Sequence, residues 1–360
     1  MLTVQDITLH SDIAGLPKDS LVNICIDLEI PSEGYTGELV DRIWSKISGS
    51  CAQKVALSPY KNRLLCGRTS VTWYRLSEQG ALNGSKDRII SACSFNPFNT
   101  MNIPEKTTLT SVPVIIGASQ GEVETQYYLR FMFKSGVSKS YYANDVVLMP
   151  ITSVVTVFVD ELHNLIEVRT EHRAAAKVAH AFAQAIGKQI LLEPIQVLAP
   201  FGGAVEEIAT KLNGYLIESL SKPEKLFDEF TKEQANSLVN IMSALDEYFQ
   251  NEDVDKLRTD LSEARYSFGS EFGAPFTALV LSGLDKMNIG VSGRDLRGHP
   301  LYDALKPYLQ HQGGYIEFDC NEDLLSSKYK IRVGLKTNSI EFLTPATENV
   351  LNFVRENVIL

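Results

Sequence analysis

The pattern that most constrains the fold is a pair of alternating apolar segments followed at once by an amphipathic helix. Residues 155–159 and 165–170 flank a polar turn at 160–164, as the two arms of a β-hairpin do. In residues 171–188, apolar side chains recur every three or four positions, so they share one face of a helix. Because such a face is stable only when it is covered, the pattern predicts a helix packed across an antiparallel sheet, in an α+β fold.

The same order of elements recurs near the C-terminus. Residues 164–170 and 338–344 share the pattern Asn-x-Ile-Glu-apolar-x-Thr, and each is predicted to form the second arm of a hairpin. A helix follows each one, and the second helix is predicted over about 345–357 with Thr344 as its cap. The repeat indicates a duplicated strand–strand–helix unit. Convergence is the alternative, because hairpin turns and helix caps select Asn and Thr independently.

Other segments rich in β-branched and aromatic residues are predicted as strands. They are 64–66, 70–76, 88–95, 112–116, 126–133, 315–320, 329–335 and 339–342. Residues 299–310 are predicted to form a helix that begins at Pro300. The chain is thereby divided into a helical module, a sheet-plus-helix domain, an acidic helical segment and a C-terminal α+β domain, at 1–55, 56–200, 201–267 and 268–360.

Charge is distributed unevenly along the chain. Net charge is −10, and residues 205–265 alone hold 14 acidic and 7 basic side chains, which leaves −3 for the remainder. An acidic total disfavours sequence-independent DNA binding over the whole surface, since such binding depends on neutralising phosphates. We expect 205–265 to be helical, with a capping box beginning at Thr231, and to dock a protein partner.

Residues 16–48 form a helix–extended segment–helix pattern. Apolar residues at helical spacing define the first helix, and Pro31 ends it. A second helix carries Leu39, Val40 and Ile43, with Thr36 as its predicted cap.

This unit resembles the SAP family of small DNA-binding modules on the strength of Gly34, Leu39, Arg42 and Ile43. The resemblance implies DNA contact through the second helix, from Arg42 and Lys46. Thr36 occupies a position where that family usually has a basic residue, and the unit carries three basic against six acidic side chains. A docking or structural helical hairpin therefore remains the alternative to DNA contact.

The polar face of the 171–188 helix is the most basic surface predicted on a regular element. It carries Arg173, Lys177, His180, Gln184 and Lys188, and Arg169 precedes it on the last strand. We predict nucleic-acid contacts, to DNA in preference to RNA, from Arg169, Arg173, Lys177, His180 and Lys188, and a solvated helix face is the alternative. Aromatic residues could add stacking for a single strand, and the candidates are Trp73, Tyr74, Tyr127 and Tyr128.

Two motifs resemble catalytic sites. Residues 117–121 read Gly-x-Ser-x-Gly, but the residues that follow alternate like a strand, whereas a nucleophile elbow leads into a helix. Asp160 with Glu167 and Arg169 imitates a Mg²⁺-dependent nuclease, although Asp160 is expected at the far end of the hairpin. We therefore predict no catalytic residues and keep a divergent metal-dependent nuclease as an alternative function.

A third candidate is the glycine-rich loop before residue 300. Arg294, Arg297 and His299 lie there, next to a predicted helix N-terminus, and could hold a phosphate or carboxylate. A connecting loop with solvated charges is the alternative.

The cysteines, the histidines and the apolar runs limit the class of function that we expect. The five cysteines and six histidines are scattered, so neither disulfides nor a metal site is predicted, and no cofactor is implied. The apolar runs are too short to cross a membrane, and the first residues lack the features of a signal peptide. The expectation is an intracellular, non-enzymatic, nucleic-acid-associated subunit that also docks a protein partner. A purely protein-binding assembly subunit is the alternative.

Overall fold

A computed structural model describes most of the chain. The described residues are 1–76, 78, 80–142, 145–187, 192–223, 231–251, 254–268, 287–290, 295–306, 309–322 and 325–360. They form two compact units, one of residues 1–203, 207–214 and 316–360 and the other of residues 204–206 and 215–315. This division differs from the four predicted segments, because both the N-terminal helices and the C-terminal strands belong to the first unit.

The first unit begins with five short helices. They are α1 (His10–Ala14), α2 (Lys18–Asp27), α3 (Thr36–Ile47), α4 (Cys51–Leu57) and α5 (Lys61–Leu64). Their apolar faces share one core with Tyr128 and Phe158 of the sheet. The predicted N-terminal module is therefore packed against the sheet.

An antiparallel sheet forms the centre of this unit. Its strands are β1 (Ser70–Arg75), β2 (Val114–Gln120), β3 (Gln126–Tyr142), β4 (Asp145–Asp160), β5 (Leu165–Arg169), β6 (Glu193–Pro194), β9 (Leu309–Glu322, of which residues from 316 belong here), β10 (Leu325–Gly334) and β11 (Ser339–Phe342). The strand order is β2-β3-β4-β5-β1-β11-β10-β9, with β6 paired to β1. The predicted α+β fold class is confirmed.

Helices cover both faces of the sheet. Helices α6 (Ser85–Ala92) and α7 (His172–Ala185) share a core with the side chains of one face, including Tyr127 and Val157. Neighbouring residues in a strand point to opposite faces, so Tyr128 and Phe158 face the N-terminal helices instead. Helix α12 (Glu348–Val354), continued by a π-helical turn (Arg355–Ile359), also contacts this second face through Arg355.

The two repeated segments flank the same strand. β5 and β11 each pair antiparallel with β1, one on either side, and each follows a hairpin turn. Both turns place an asparagine in the left-handed region, Asn164 at φ 52° and Asn338 at φ 48°. A helix follows each strand, as predicted. The turn chemistry explains the shared asparagine.

The second unit contains a two-stranded pairing and a helical hairpin. β7 (Tyr215–Pro223) pairs antiparallel with β8 (Met287–Gly290). The other elements are α9 (Lys232–Asn251), α10 (Val254–Phe268) and α11 (Pro300–Leu305), and α8 (Val205–Lys211) begins in this unit and ends in the first. Among the residues described, no helix is both long and apolar enough to cross a bilayer.

Several predicted elements were wrong. Residues 88–95 are mostly helical, because α6 begins after Gly84 in a left-handed conformation and buries Ile89 in the core. Residues 64–66 end a helix instead of forming a strand. The segment 205–265 includes β7 and is not wholly helical.

Two helix caps also lie elsewhere than predicted. Thr347, rather than Thr344, caps α12, and its side chain accepts a hydrogen bond from the Val350 amide. Tyr35 stands at the N-cap of α3, where Thr36 is the first helical residue.

Candidate functional site

The first unit contains a buried charge network centred on Glu167. This carboxylate is fully buried on β5 and accepts hydrogen bonds from Trp73 Nε1 (2.9 Å), Arg169 Nε (2.9 Å) and Arg355 Nε (2.8 Å). Burial alone would raise its pKa, but the charges of Arg355 and Arg169 outweigh burial and lower the pKa of Glu167. The carboxylate is therefore ionised, and both of its oxygens accept hydrogen bonds.

Arg169 extends the network to the helices that cover this face. Its guanidinium forms a bidentate pair with Glu348 of α12, with Nη2 at 2.8 Å from Oε2, and Nη1 donates to the Leu65 carbonyl at 2.9 Å. The side chain of Arg169 is 2% exposed. Arg169 therefore does not present a cation to solvent, and its placement on a nucleic-acid surface is corrected.

A second buried arginine lies on the same face. Arg130 of β3 donates to Thr156 Oγ1 at 2.6 Å from Nη1, and its Nη2 lies 2.8 Å from each carboxylate oxygen of Asp12 of α1. Together, Arg130 and Arg169 tie the N-terminal helices and α12 to the sheet. Removing one partner of a buried charge pair leaves the other charge uncompensated and lowers stability strongly. These pairs therefore fix how the helices pack on the sheet.

A polar cleft of 430 Å³ opens beside these arginines. Its lining residues are Asp12, Leu65, Cys66, Arg68, Thr69, Ser70, Arg130, Val154, Thr156, Arg169, Thr170 and Glu171. The two innermost guanidinium groups are already paired with carboxylates. The Cys66 thiol donates to Glu348 at 3.2 Å, and burial together with the Glu348 charge raises its pKa well above the ordinary value. A protonated thiol is a poor nucleophile.

The nuclease-like motif is dispersed by the fold. Asp160 pairs in register with Leu165, whereas Glu167 lies opposite Phe158, so the two carboxylates do not converge. Asp160 instead accepts from Gln126 Nε2 at 2.8 Å and contacts His163 at 3.0 Å. Within the described residues, no group of three or more His, Cys, Asp or Glu could hold a metal ion.

The Gly-x-Ser-x-Gly motif lies on β2 and the turn into β3. Ser119 is fully buried in β2, and Gly121 forms the turn, where an added Cβ would lie 2.8 Å from Gln126. A strand follows the motif, as predicted, so its geometry is that of a hairpin turn.

The polar face of α7 is solvent-exposed. Arg173, Lys177, His180 and Gln184 are all exposed, and Lys177 Nζ lies 5.0 Å from the centroid of the Phe133 ring. Lys188 lies outside the described residues. Helix α7 therefore brings together three of the predicted contact residues on one open face.

In the N-terminal module, α2 and α3 are joined by an extended segment, in line with the predicted pattern. Arg42 Nη1 donates to the carbonyls of Pro31 (3.1 Å) and Glu33 (2.6 Å), so this guanidinium organises the extended segment. Lys46 is exposed. The fold thus leaves Lys46 freer than Arg42 to contact a ligand.

The proposed anion loop is only partly described. Arg294 lies outside the described residues, and His299 is exposed at the N-cap of α11. Arg297 donates to Asp295 from Nε, at 3.0 Å to Oδ1 and 2.9 Å to Oδ2, and from Nη2 at 2.6 Å to Oδ2. Burial alone would raise the pKa of Asp295, but hydrogen bonds from Arg297 and its charge lower it. Much of the Arg297 charge is compensated within the loop.

The four aromatic residues considered for base stacking are all buried. Trp73 and Tyr128 face the N-terminal helices and α12, whereas Tyr74 and Tyr127 belong to the core under α6 and α7. The stacking hypothesis is wrong, because both faces of the sheet are covered and leave no ring open to a base.

Helix α9 exposes apolar and acidic side chains together. Val239 (64% exposed), Met242 (44%) and Phe249 (77%) follow one another at helical spacing, and the exposed Asp246 lies between the last two. Residues 232–268 hold eight acidic against four basic side chains, for a net charge of −4. Ile241 and Ala244 of the same helix are buried, so α9 has one covered face and this exposed one.

Sequence reasoning missed a projecting β-ribbon. Beyond residue 135 of β3 and before residue 152 of β4, the two strands pair only with each other among the described residues. Seven large apolar side chains of this distal ribbon are 43–75% exposed: Val137, Tyr141, Val146, Val147, Leu148, Met149 and Ile151. The apolar run 146–149 directly after Asn144-Asp145 was the available hairpin signal.

No protein-family model matches this chain, and no curated protein matches it either.

Proposed function

We propose that this protein is a non-enzymatic assembly subunit that docks a protein partner through α9 and contacts nucleic acid through α7. The observation that carries the proposal is the exposed stripe of Val239, Met242 and Phe249 on α9, set among acidic residues. Adjacent exposed apolar side chains of this size on one helix face are typical of a binding surface.

The chemistry of this stripe specifies the partner. An apolar stripe at helical spacing accepts the apolar face of a second helix. The net charge of −4 over residues 232–268 favours a partner with basic residues flanking that face. A basic amphipathic helix is therefore the partner that fits.

A designed peptide tests this docking surface. A helical peptide with leucines on one face and lysines on the other should bind the full chain in isothermal titration calorimetry, and binding should weaken as salt rises from about 50 to 500 mM. Phe249→Asp should weaken binding by at least tenfold, because it replaces the largest and most exposed apolar side chain of the stripe with a charge.

Two controls give the test its specificity. A scrambled peptide of the same composition has the same charge without an apolar face. Leu162→Asp changes an exposed leucine on the turn between β4 and β5 in the other unit, and should leave binding unchanged. Equal affinity for both peptides would reduce the interaction to charge alone and refute the docking surface.

Nucleic-acid contact is the second candidate function, and the exposed Arg173 and Lys177 of α7 support it. Arg173, Lys177 and His180 lie on successive turns of one solvent-facing stripe, which can follow a phosphate backbone. The SAP-like resemblance of residues 16–48, with Lys46 exposed, points to the same class of ligand.

A gel-shift assay with duplex DNA and with RNA at about 50 mM salt tests this contact, because phosphate contacts are strongest at low salt. Reversing Arg173 and Lys177 to glutamate should reduce affinity at least tenfold and leave the melting temperature unchanged. If neither nucleic acid shifts, the purely protein-binding assembly subunit is the function that remains.

A divergent nuclease is the least supported alternative. The carboxylate of Glu167 is buried and neutralised by two arginines, so it is unsuited to bind a hard cation. Mg²⁺- or Mn²⁺-dependent DNA cleavage that disappears in Glu167→Ala, without loss of fold, would reverse this ranking.

A further inference from the structure

We infer that the distal ribbon, residues 136–142 of β3 and 145–151 of β4, is a self-association surface that packs face to face on a second copy of this chain. The ribbon is built from seven cross-strand pairs, from Gly136↔Ile151 to Tyr142↔Asp145. This inference is independent of the α9 docking surface, since it concerns a different element and a different partner.

The edges of the ribbon are protected against strand addition. A register shift between Lys134 and Gly136 interrupts the ladder at its base. Lys139 places a charge on the β3 side, and Pro150 removes an amide donor from the β4 side. Lysine, proline and bulges at strand edges disfavour pairing with another strand. A second molecule can therefore contact the exposed apolar side chains on the faces of the ribbon, and not by adding a strand at its edges.

One face carries a row of large side chains beside a row of small residues. Cross-strand partners share a face, so Val147, Met149 and Ile151 of β4 lie beside Ser140, Ser138 and Gly136 of β3, respectively. The three large side chains are each about half exposed. The opposite face carries Val146, Leu148 and Pro150 of β4 beside Tyr141, Lys139 and Val137 of β3, respectively.

This arrangement is self-complementary. In an isologous dimer the same patch must fit itself after a two-fold rotation. A two-fold axis running along the ribbon places the large row of one copy over the small row of the other, with Met149 above Ser138 of the second copy. Three of the four pairs on this face carry no charged side chain, and the fourth, Tyr142↔Asp145 at the tip, adds one carboxylate per copy. The two-fold rotation places the two Asp145 residues on opposite sides of the contact, so no like charges meet over the large and small rows.

The size of this ribbon face indicates how strongly two copies should associate. Seven residues at about 3.3 Å each give a contact about 20 Å long, and two strands about 4.8 Å apart give a narrow one. The buried area is therefore on the order of a few hundred Å² per copy, below the roughly 800 Å² of a standard interface. A contact of this size predicts a weak, reversible dimer.

Sedimentation velocity of the full chain from about 1 to 200 µM tests the inference. The expected result is a concentration-dependent monomer–dimer equilibrium. Met149→Lys places a charge in the large row and should raise the dissociation constant by at least tenfold. Leu148→Lys is the matched control, because it places the same charge on the neighbouring residue of the opposite face and should leave the equilibrium unchanged.

A second variant guards against a folding defect. Ser138→Trp fills the small row with a residue that strands accept readily, adds no charge, and should also abolish the dimer. A monomer at every concentration would overturn the inference, as would equal losses in Met149→Lys and Leu148→Lys. Open-ended oligomers in place of a dimer would also overturn it, because they exclude a closed two-fold contact.

Discussion

Replacing Glu167 by glutamine removes the negative charge that two buried arginines share. Glu167 is fully buried, and Arg169 and Arg355 approach it at 2.9 and 2.8 Å. Glutamine keeps the shape, and its carbonyl at the Oε2 position can still accept from Trp73 Nε1 and Arg355 Nε, while its NH2 group then faces Arg169 Nε. The substitution therefore removes the charge without removing volume.

The cost falls mainly on Arg355. Arg169 retains its bidentate pair with Glu348, whereas Arg355 keeps Asn352 Oδ1 at 2.9 Å and the face of the Phe158 ring at 4.1 Å. Leaving one buried charge without its partner costs about 3–5 kcal/mol. Because glutamine still offers a dipole, we expect the lower end, about 3 kcal/mol, or about 6–12 °C in melting temperature for a domain of this size.

The repeat within the sequence supplies a matched control. Glu341 occupies the position of Glu167 in the second Asn-x-Ile-Glu segment, but its ion pair with Arg332 is 3.5 Å long and about half exposed. Glu341→Gln should therefore cost less than about 1 kcal/mol. Thermal and urea unfolding followed by circular dichroism measure both variants. A loss below about 1 kcal/mol in Glu167→Gln, or equal losses in the two variants, would refute the assignment of a buried charge network.

Three further predictions concern the same unit. Thr347→Ala should lower the free energy of unfolding by about 1 kcal/mol in urea titrations, because the first turn of α12 loses its side-chain cap; no change would reassign the cap. The pKa of Glu167 is lowered from 4.5, so its contribution to stability is complete above that value and is lost as pH falls below it. Acid titration of wild type and Glu167→Gln should converge at low pH, and parallel curves would contradict this. Burial and the charge of Glu348 raise the pKa of Cys66, so Cys66 should react with a thiol reagent at neutral pH much more slowly than the exposed Cys51. Cys66→Ser and Cys51→Ser variants assign the two rates. Equal rates would show that the Cys66 thiol is accessible to solvent.

The fold class was predictable because local patterns determined it. The hairpin at 155–170 and the helix after it have clear periods of 2 and 3.6 residues, and both recur in the structure as β4, β5 and α7. The strand predicted at residues 88–95 was wrong. Two adjacent isoleucines are typical of a strand, but here Ile89 lies on a helix that packs it into the core under the sheet. Tertiary contacts of this kind leave no local signal.

The candidate site residues also show which features local patterns predict and which depend on distant contacts. Arg173 and Lys177 were placed correctly on an open face, since helical periodicity alone decides which side of α7 is solvent-exposed. Arg169 was misplaced, because its partner Glu348 lies 179 residues away in sequence. Alternation along β5 predicts two faces, but it does not reveal that α12 covers one of them.

The central claim is that exposed surfaces bind ligands and the polar cleft does not. Hydrogen–deuterium exchange on the full chain tests this claim most directly. With the basic amphipathic peptide we expect added protection in α9, with duplex DNA in α7, and in neither case over residues 65–70 of the cleft. Protection confined to residues 65–70, or none in α9 at saturating peptide, would contradict the account.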